Sequence, residues 1–374
     1  MLQPNTSVSQ ILNNWVTGHI PTQLEKQQLV AEELASPQRA TAFGITSANV
    51  EQTIQARTHL FQAVYPDVLS LPSFSKTISA QAKEHNSRVA GEIPHSPLLL
   101  SLWNLWLPLA MQLASSRQQL GRPLIQGILG GQGTGKTTLG AVLRLTLKHL
   151  GYHTLSFSLD DLYKTYAERQ RLQEQDSRLI WRGPPGTHDI ELGLQLLDQL
   201  RSSNPANPIL VPRFDKSAWG GAGDRTIPEP VENVDIVLFE GWFVGARPID
   251  PAVFDAQTPE PIQSLGDRAF ARDMNDQLKD YLPLWERLDR LMILYPTDYR
   301  LSQQWRRQAE QEMIATGKSG MTDAQVNEFV EYFWKALHPE LFITPLTKNP
   351  NLVDLVIEIN PDRTPGAVYR PSVN

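Results

Sequence analysis

An α/β architecture, with a mostly parallel sheet in a three-layer arrangement and a helical region in front of it, follows from three features of this 374-residue chain. From Leu124 onward, short apolar runs end in Gly, Asp or Glu and are each followed by a longer amphipathic stretch, the alternation expected of βα units around a parallel sheet. One such run, Ile125 to Leu129, leads straight into Gly130-Gly131-Gln132-Gly133-Thr134-Gly135-Lys136-Thr137 and then a helical pattern, Thr138 to Leu150. Before Leu124, Leu and Ala recur at helical spacings, broken by Pro21, Pro37, Pro66, Pro72, Pro94 and Pro97. The expected division is a helical region over 1–120 and a sheet domain over 121–374.

Taken in order, the apolar stretch Leu98 to Ala114 falls at the short end of a membrane span and contains Asn104 and Pro108, so a buried helix is expected there. Strands are expected at Leu124 to Leu129, His153 to Leu159, Ile209 to Pro212, Asp235 to Phe239, Arg290 to Leu294 and Leu352 to Ile359. The proline-rich segment Arg247 to Gly266 reads as a surface excursion with partial disorder. A helix, Leu301 to Gln308, then Gly317-Lys318-Ser319-Gly320, then the capping box Thr322-Asp323-Ala324-Gln325 suit a mobile lid around 300–325.

Composition narrows the function. A net charge of -6 with no basic stripe argues against sequence-independent nucleic-acid binding. The chain has no cysteine, which excludes disulfides, thiolate nucleophiles, Cys-ligated zinc and iron–sulfur centres. The first basic residue is Lys26, so Met1 to Glu25 offers neither the positive start of a secretory signal nor an Arg-rich transit face, and a cytoplasmic address is expected. The expected partner is a small molecule, with no nucleic acid and no membrane, and a monomer is the default.

The sharpest chemical signal is the run Gly130 to Thr138. Glycines let the backbone wrap so that successive N–H groups point at phosphate oxygens, and the helix N-terminus adds partial positive charge. This is the P-loop NTPase-type pattern: Gly130, Gly131, Gln132, Gly133, Thr134, Gly135, Lys136, Thr137 and Thr138 would hold ATP, Lys136 reaching the β- and γ-phosphates and Thr137 offering its hydroxyl to Mg²⁺. Two carboxylates, Asp160 and Asp161, close the second strand, where ligands of open α/β sheets gather. One should face the phosphates as base and Mg²⁺ ligand while the other caps the next helix. Glu240 closes Val234 to Phe239, a position suited to organising the metal. Arg213, Lys216 and Arg225 bring three cations to one Gly-rich loop. In Arg182-Gly183-Pro184-Pro185-Gly186-Thr187-His188-Asp189, Thr187 or Asp189 is the expected N-cap of the following helix, and His188 has no such duty. Arg306 and Arg307 could close over a transferring phosphoryl group.

Together GGQGTGKTTL, SLDDLY, RGPPGTHD, PRFDKSAWGGAGDR, FEGWFVG and WRRQAE resemble the glycerate kinases of the plant and cyanobacterial type, a branch of the P-loop kinases that includes uridine kinase, pantothenate kinase and phosphoribulokinase. The likeness runs from about Pro123 to Ile359. Many members carry Pro-Gln-Gly-Cys where this chain has Gly131-Gln132-Gly133-Thr134, a change that leaves the loop geometry possible. The resemblance implies ATP-dependent phosphorylation of D-glycerate to 3-phosphoglycerate, with Asp160 rather than Asp161 as base and Arg306 and Arg307 in the lid. It places Tyr163, Arg182, His188, Asp189, Arg213, Lys216 and Arg225 around the substrate, whose carboxylate needs a fixed cation. A sister kinase acting on uridine, pantothenate or a sugar phosphate, and a nucleotide-gated interaction protein, are the alternatives.

Overall fold

The computed structural model describes residues 6–72, 74, 96–202, 208–315, 317 and 320–372. Among the described residues ten strands appear in chain order: β1 (Leu124–Gly130), β2 (Thr154–Ser158), β3 (Ile209–Val211), β4 (Phe214–Asp215), β5 (Asp224–Arg225), β6 (Glu229–Val231), β7 (Ile236–Gly241), β8 (Arg290–Pro296), β9 (Leu355–Ile359) and β10 (Pro365–Tyr369). Six of them form the central sheet in the order β10-β9-β8-β1-β7-β2. Every pairing in it is parallel except β10 on β9. β1 is buried at all seven positions, which is why its sequence is a continuous apolar run rather than an alternation.

Helices cover both faces of this sheet, so the layers are three. One face packs Leu155, Phe157, Val237, Phe239 and Ile293 against Leu197, Phe270 and Phe333 from helices Ile190–Arg201, Leu265–Gln277 and Asp323–Ala336. The other packs Ile128, Leu238 and Met292 under Leu109 and Leu113 of helix Leu107–Leu120 and Leu139 and Leu143 of helix Lys136–His149. The apolar stretch near residue 100 is this covering element. It runs from Ser96–Ser101 through a π-helical turn, Leu102–Trp106, into Leu107–Leu120. Pro108 has no N–H to give, and the ladder widens just upstream of it. Its span from Pro97 to Leu120 has the length and apolarity to cross a membrane, yet Leu105 and Leu109 face the sheet while Leu99 and Trp103 face the N-terminal helices. Those helices enclose their own core of Ile11, Leu12, Trp15, Phe61 and Trp103, with a buried Arg57–Glu33 ion pair at 2.7 Å beneath the Trp103 ring.

Expectation and structure differ at four places. The run at Ile209 is a strand outside the central sheet: β3 pairs antiparallel with β6, burying Ile209 and Val211 while Leu210 is 60% exposed. One-faced burial suits a two-stranded ribbon, not a strand sandwiched between helices. β10 is an unforeseen edge strand, because its Pro365-Gly366 start reads as a turn; a proline is tolerated at an edge. Pro66 lies inside helix Val50–Leu69 rather than breaking it, and Pro37 starts a helix. The segment 247–266 is the surface excursion expected, but it is ordered rather than partly disordered, held down by buried Phe254 and Ile262 with a 3₁₀ turn at Pro251–Asp255. Pro94 lies outside the described residues.

Candidate active site

β1 delivers the chain into the glycine-rich loop, and helix Lys136–His149 takes it away. Gly133 (φ 78) and Gly135 (φ 86) adopt left-handed backbone that turns the loop through its ring, Gly135 being the residue before the helix. Thr134 donates its hydroxyl to Gly131 O at 2.9 Å. The Lys136 ammonium folds back over the loop, donating to Gly130 O (2.7 Å) and Gly131 O (3.1 Å), with Glu240 Oε2 at 3.8 Å. Burial lowers its pKa, against the opposing pull of Glu240 and Asp160. Thr137 and Thr138 lie in the helix's first turn, the Thr137 side exposed. A concave set of amides with a cation at its lip is a seat for phosphate oxygens. Gly130 and Gly133 also make room: a Cβ at Gly130 would lie 2.7 Å from Thr134 Oγ1, and one at Gly133 would lie 2.6 Å from Trp305 Cβ.

At the end of β2 the chain enters a 3₁₀ turn, Leu159–Leu162, closed by a capping box between Ser158 and Asp161. The two adjacent carboxylates part company here. Asp161 Oδ2 accepts from Ser158 N and from Arg213 Nη1, both at 3.0 Å. Asp160 Oδ2 meets Lys216 Nζ at 2.6 Å, and its Oδ1 accepts from the Tyr163 hydroxyl at 2.9 Å. Burial pushes both pKa values up; for Asp161 it prevails, whereas Lys216 and Tyr163 hold Asp160 below the usual carboxylate range. Glu240 lies on β7, in register with Ser158 of β2 on one side and Ile128 of β1 on the other. The sheet thus lines up Lys136, Glu240 and Asp160 across three neighbouring strand ends.

The surrounding residues take less uniform places. Arg213 is bound to Asp161 and, at 2.7 Å, to Glu229. Arg225 donates to Tyr163 O and to Asp189 Oδ2, while Asp189 caps helix Ile190–Arg201. Thr187 is not that cap; its hydroxyl closes the preceding turn by donating to Pro184 O. Arg182 donates to Gly221 O and Ala222 O and stands over the Tyr163 and Phe214 rings. His188 and Tyr163, expected around the substrate, are both buried. His188 is 1% exposed, stacked on Tyr163 and bonded to the Tyr281 hydroxyl at 2.7 Å, and burial drives its pKa down to about 3. It is neutral and cannot be a fixed cation for a carboxylate. Tyr163 is buried too, and its hydroxyl is spent on orienting Asp160.

Sequence reasoning missed Arg169, which donates to Lys164 O, Ala222 O and Gly223 O and so pins the Gly-rich loop from outside. It sits on a polar helix where nothing distinguishes it from solvated neighbours. Beside it lies a cavity of about 300 Å³ lined by Tyr166, Gln170, Trp181, Arg182, Thr187 and Ala222. In the lid region, Arg306 pairs with Glu310 at 2.6 Å and stands over the Phe329 ring, and Arg307 donates to Asn327. Both guanidiniums are therefore engaged within the helix pair Leu301–Ala315 and Asp323–Ala336, while Trp305, not anticipated, packs against Gly133 of the phosphate loop. Thr322 forms the expected capping box with Gln325; Lys318 and Ser319 lie outside the described residues.

Among known proteins, the chain is 32% identical over 256 residues to the chloroplastic D-glycerate 3-kinase of Arabidopsis thaliana, covering 65% of this chain and 54% of that protein, so it spans about half the length of that relative. It is 31% identical over 245 residues to a Saccharomyces cerevisiae protein named "Probable ATP-dependent kinase TDA10", covering 62% of this chain and 81% of the yeast protein. Among solved structures, D-glycerate 3-kinase from Cryptococcus neoformans superposes with a TM-score of 0.63 at 29% identity, over 71% of this chain and 98% of the fungal one. No model of a protein family matches the chain.

Proposed function

Because the chain belongs to the family of P-loop kinases that includes D-glycerate 3-kinase, we propose that it transfers the γ-phosphoryl group of ATP to the 3-hydroxyl of D-glycerate. The observation that carries this reading is a juxtaposition. Lys136 on the phosphate loop lies 3.8 Å from Glu240 on β7, Asp160 follows the neighbouring end of β2, and Lys216 of a second loop reaches Asp160 at 2.6 Å. The phosphate loop seats the triphosphate tail, with Lys136 leaving the Gly130 and Gly131 carbonyls to reach the β- and γ-oxygens. Asp160 takes the proton of the 3-hydroxyl as that oxygen bonds to γ-phosphorus and the bond from γ-phosphorus to the β–γ bridging oxygen breaks, leaving ADP. Tyr163 fixes the carboxylate's orientation, so little reorganisation is needed at that moment. Arg306 and Arg307 would have to leave Glu310, Phe329 and Asn327 to reach the phosphoryl group.

Mg²⁺ fits this site modestly. Among the described residues no group of three or more His, Cys, Asp or Glu is spaced to cage a metal, which suits an ion that keeps its waters and takes phosphate oxygens. Thr137, with its exposed hydroxyl, and the Glu240 and Asp160 carboxylates are the protein oxygens available. When bound, the ion neutralises charge on the β- and γ-phosphates.

ADP release against a panel of hydroxy acids, nucleosides, pantothenate and sugar phosphates, with NMR to locate phosphorus on the product, tests the proposal. D-Glycerate should stimulate release and carry phosphate on C3. Stimulation by uridine, pantothenate or ribulose 5-phosphate instead would move the substrate, and slow hydrolysis indifferent to every acceptor would point to a nucleotide-gated interaction protein.

A further inference from the structure

Five basic residues were candidates to meet the substrate's carboxylate, and the structure separates them. Arg213 carries Asp161 and Glu229, Arg225 carries Asp189, Arg182 carries two loop carbonyls, and His188 is buried and neutral. Lys216 differs from all four. Its side chain is 62% exposed, and its ion-pair partner is the carboxylate proposed as base. It also stands just ahead of a segment built for unusual backbone: Trp219 (φ 51), Gly220 (φ 65), Gly221 (φ 98) and Gly223 (φ 74) all lie in the left-handed region.

Resting on the glycerate kinase reading, we infer that Lys216 is a substrate-operated latch: without acceptor its ammonium occupies Asp160, and the incoming carboxylate draws it off, exposing the base only when an acceptor is present. The exchange is between like partners. Lys216 leaves one carboxylate for another, so it costs far less than breaking an ion pair into solvent. An ammonium on a flexible stem suits this better than a guanidinium fork, which locks on to one partner. With Asp160 covered, a water molecule in the acceptor position meets no free base, and ATP is protected from hydrolysis. Uncovering Asp160 without an acceptor alcohol lets it take a proton from water as that oxygen bonds to γ-phosphorus and ADP departs, releasing inorganic phosphate.

Two measurements test the latch. In Lys216→Met, KM for D-glycerate should rise by about 10- to 100-fold, the worth of a charged hydrogen bond, and phosphate release without acceptor should rise several-fold. In the unaltered protein, D-lactate, which keeps the carboxylate and lacks the 3-hydroxyl, should stimulate phosphate release from ATP, and Lys216→Met should abolish that stimulation. Lys216→Arg should restore much of the KM. The lactate arm uses the intact chain, so it does not depend on how the variant folds. Phosphorylation of glycerate by the wild type with phosphate release unchanged in both arms would overturn the latch alone. A wild type that ignores glycerate would overturn the function itself.

Discussion

Two glycine-rich loops flank the proposed reaction, and they are wired differently. The phosphate loop holds itself: Lys136 and Thr134 both bond to carbonyls no more than six residues away in sequence. The loop from Arg213 to Arg225 has bonds of its own, Ser217 to Asp215 and Trp219 to Asp224, but its carbonyls are also held by distant Arg169 and Arg182 and its cations by Asp160, Asp161 and Asp189. A self-held loop presents the same amides whatever the acceptor does. A loop held by ion pairs can exchange partners, and that is what acceptor recognition requires.

The sharpest break between the loops comes from their charged chemistry. Lys136→Ala and Asp160→Asn should each lower turnover by about 10²- to 10⁴-fold in a steady-state ADP-release assay, with a cooperative thermal melt retained. Equal loss of kcat and kcat/KM marks groups that act in the transition state. Gly133→Ala should come next. Its added Cβ meets Trp305 at 2.6 Å in a left-handed backbone, so nucleotide affinity by calorimetry should fall by about 10-fold, and Trp305→Ala should recover part of it by removing the clash but not the strain. Arg225→Ala should free the second loop from Asp189 and Tyr163 and raise KM for glycerate by about 10-fold, with kcat and ATP affinity largely kept. An equal loss of ATP affinity would show that the two loops are not independent.

The smallest effect lies beneath the second loop. His188 ionises at about 3 in the fold and His338 at about 4, both because burial disfavours the charge, against about 6.5 in an unfolded chain. Below pH 6.5 the unfolded chain binds protons that the fold refuses, so stability should fall as pH drops from 6.5 towards 3 and stay level above it. His188→Asn should lower that slope by about 1.4 kcal/mol per pH unit in urea melts, leaving the His338 share.

Where a signal was local, it was readable. The Gly130–Thr137 run carries its own geometry, and the adjacency of Asp160 and Asp161 implies that the two carboxylates part: Asp161 closes the cap on Ser158 while Asp160 turns to Lys216. Where the environment lay elsewhere in the chain, reading failed. His188 looks like a usable cation until Tyr163, Phe243 and Tyr281 close around it, and Ile209 to Val211 looks like a sheet strand until β6 proves to be its partner. Arg169 is indistinguishable from any exposed helical arginine until the loop around Ala222 folds over it.

Short-range pattern alone therefore determined the α/β class, the glycine-rich loop after β1 and the capping acid after β2, because period, turn and cap chemistry act between residues a few positions apart. Which charges are spent and which remain free was decided by the tertiary fold. Burial and ion pairing depend on groups brought from 50 or more positions away, as Lys216 is to Asp160 across 56 residues, and no local spacing records that approach.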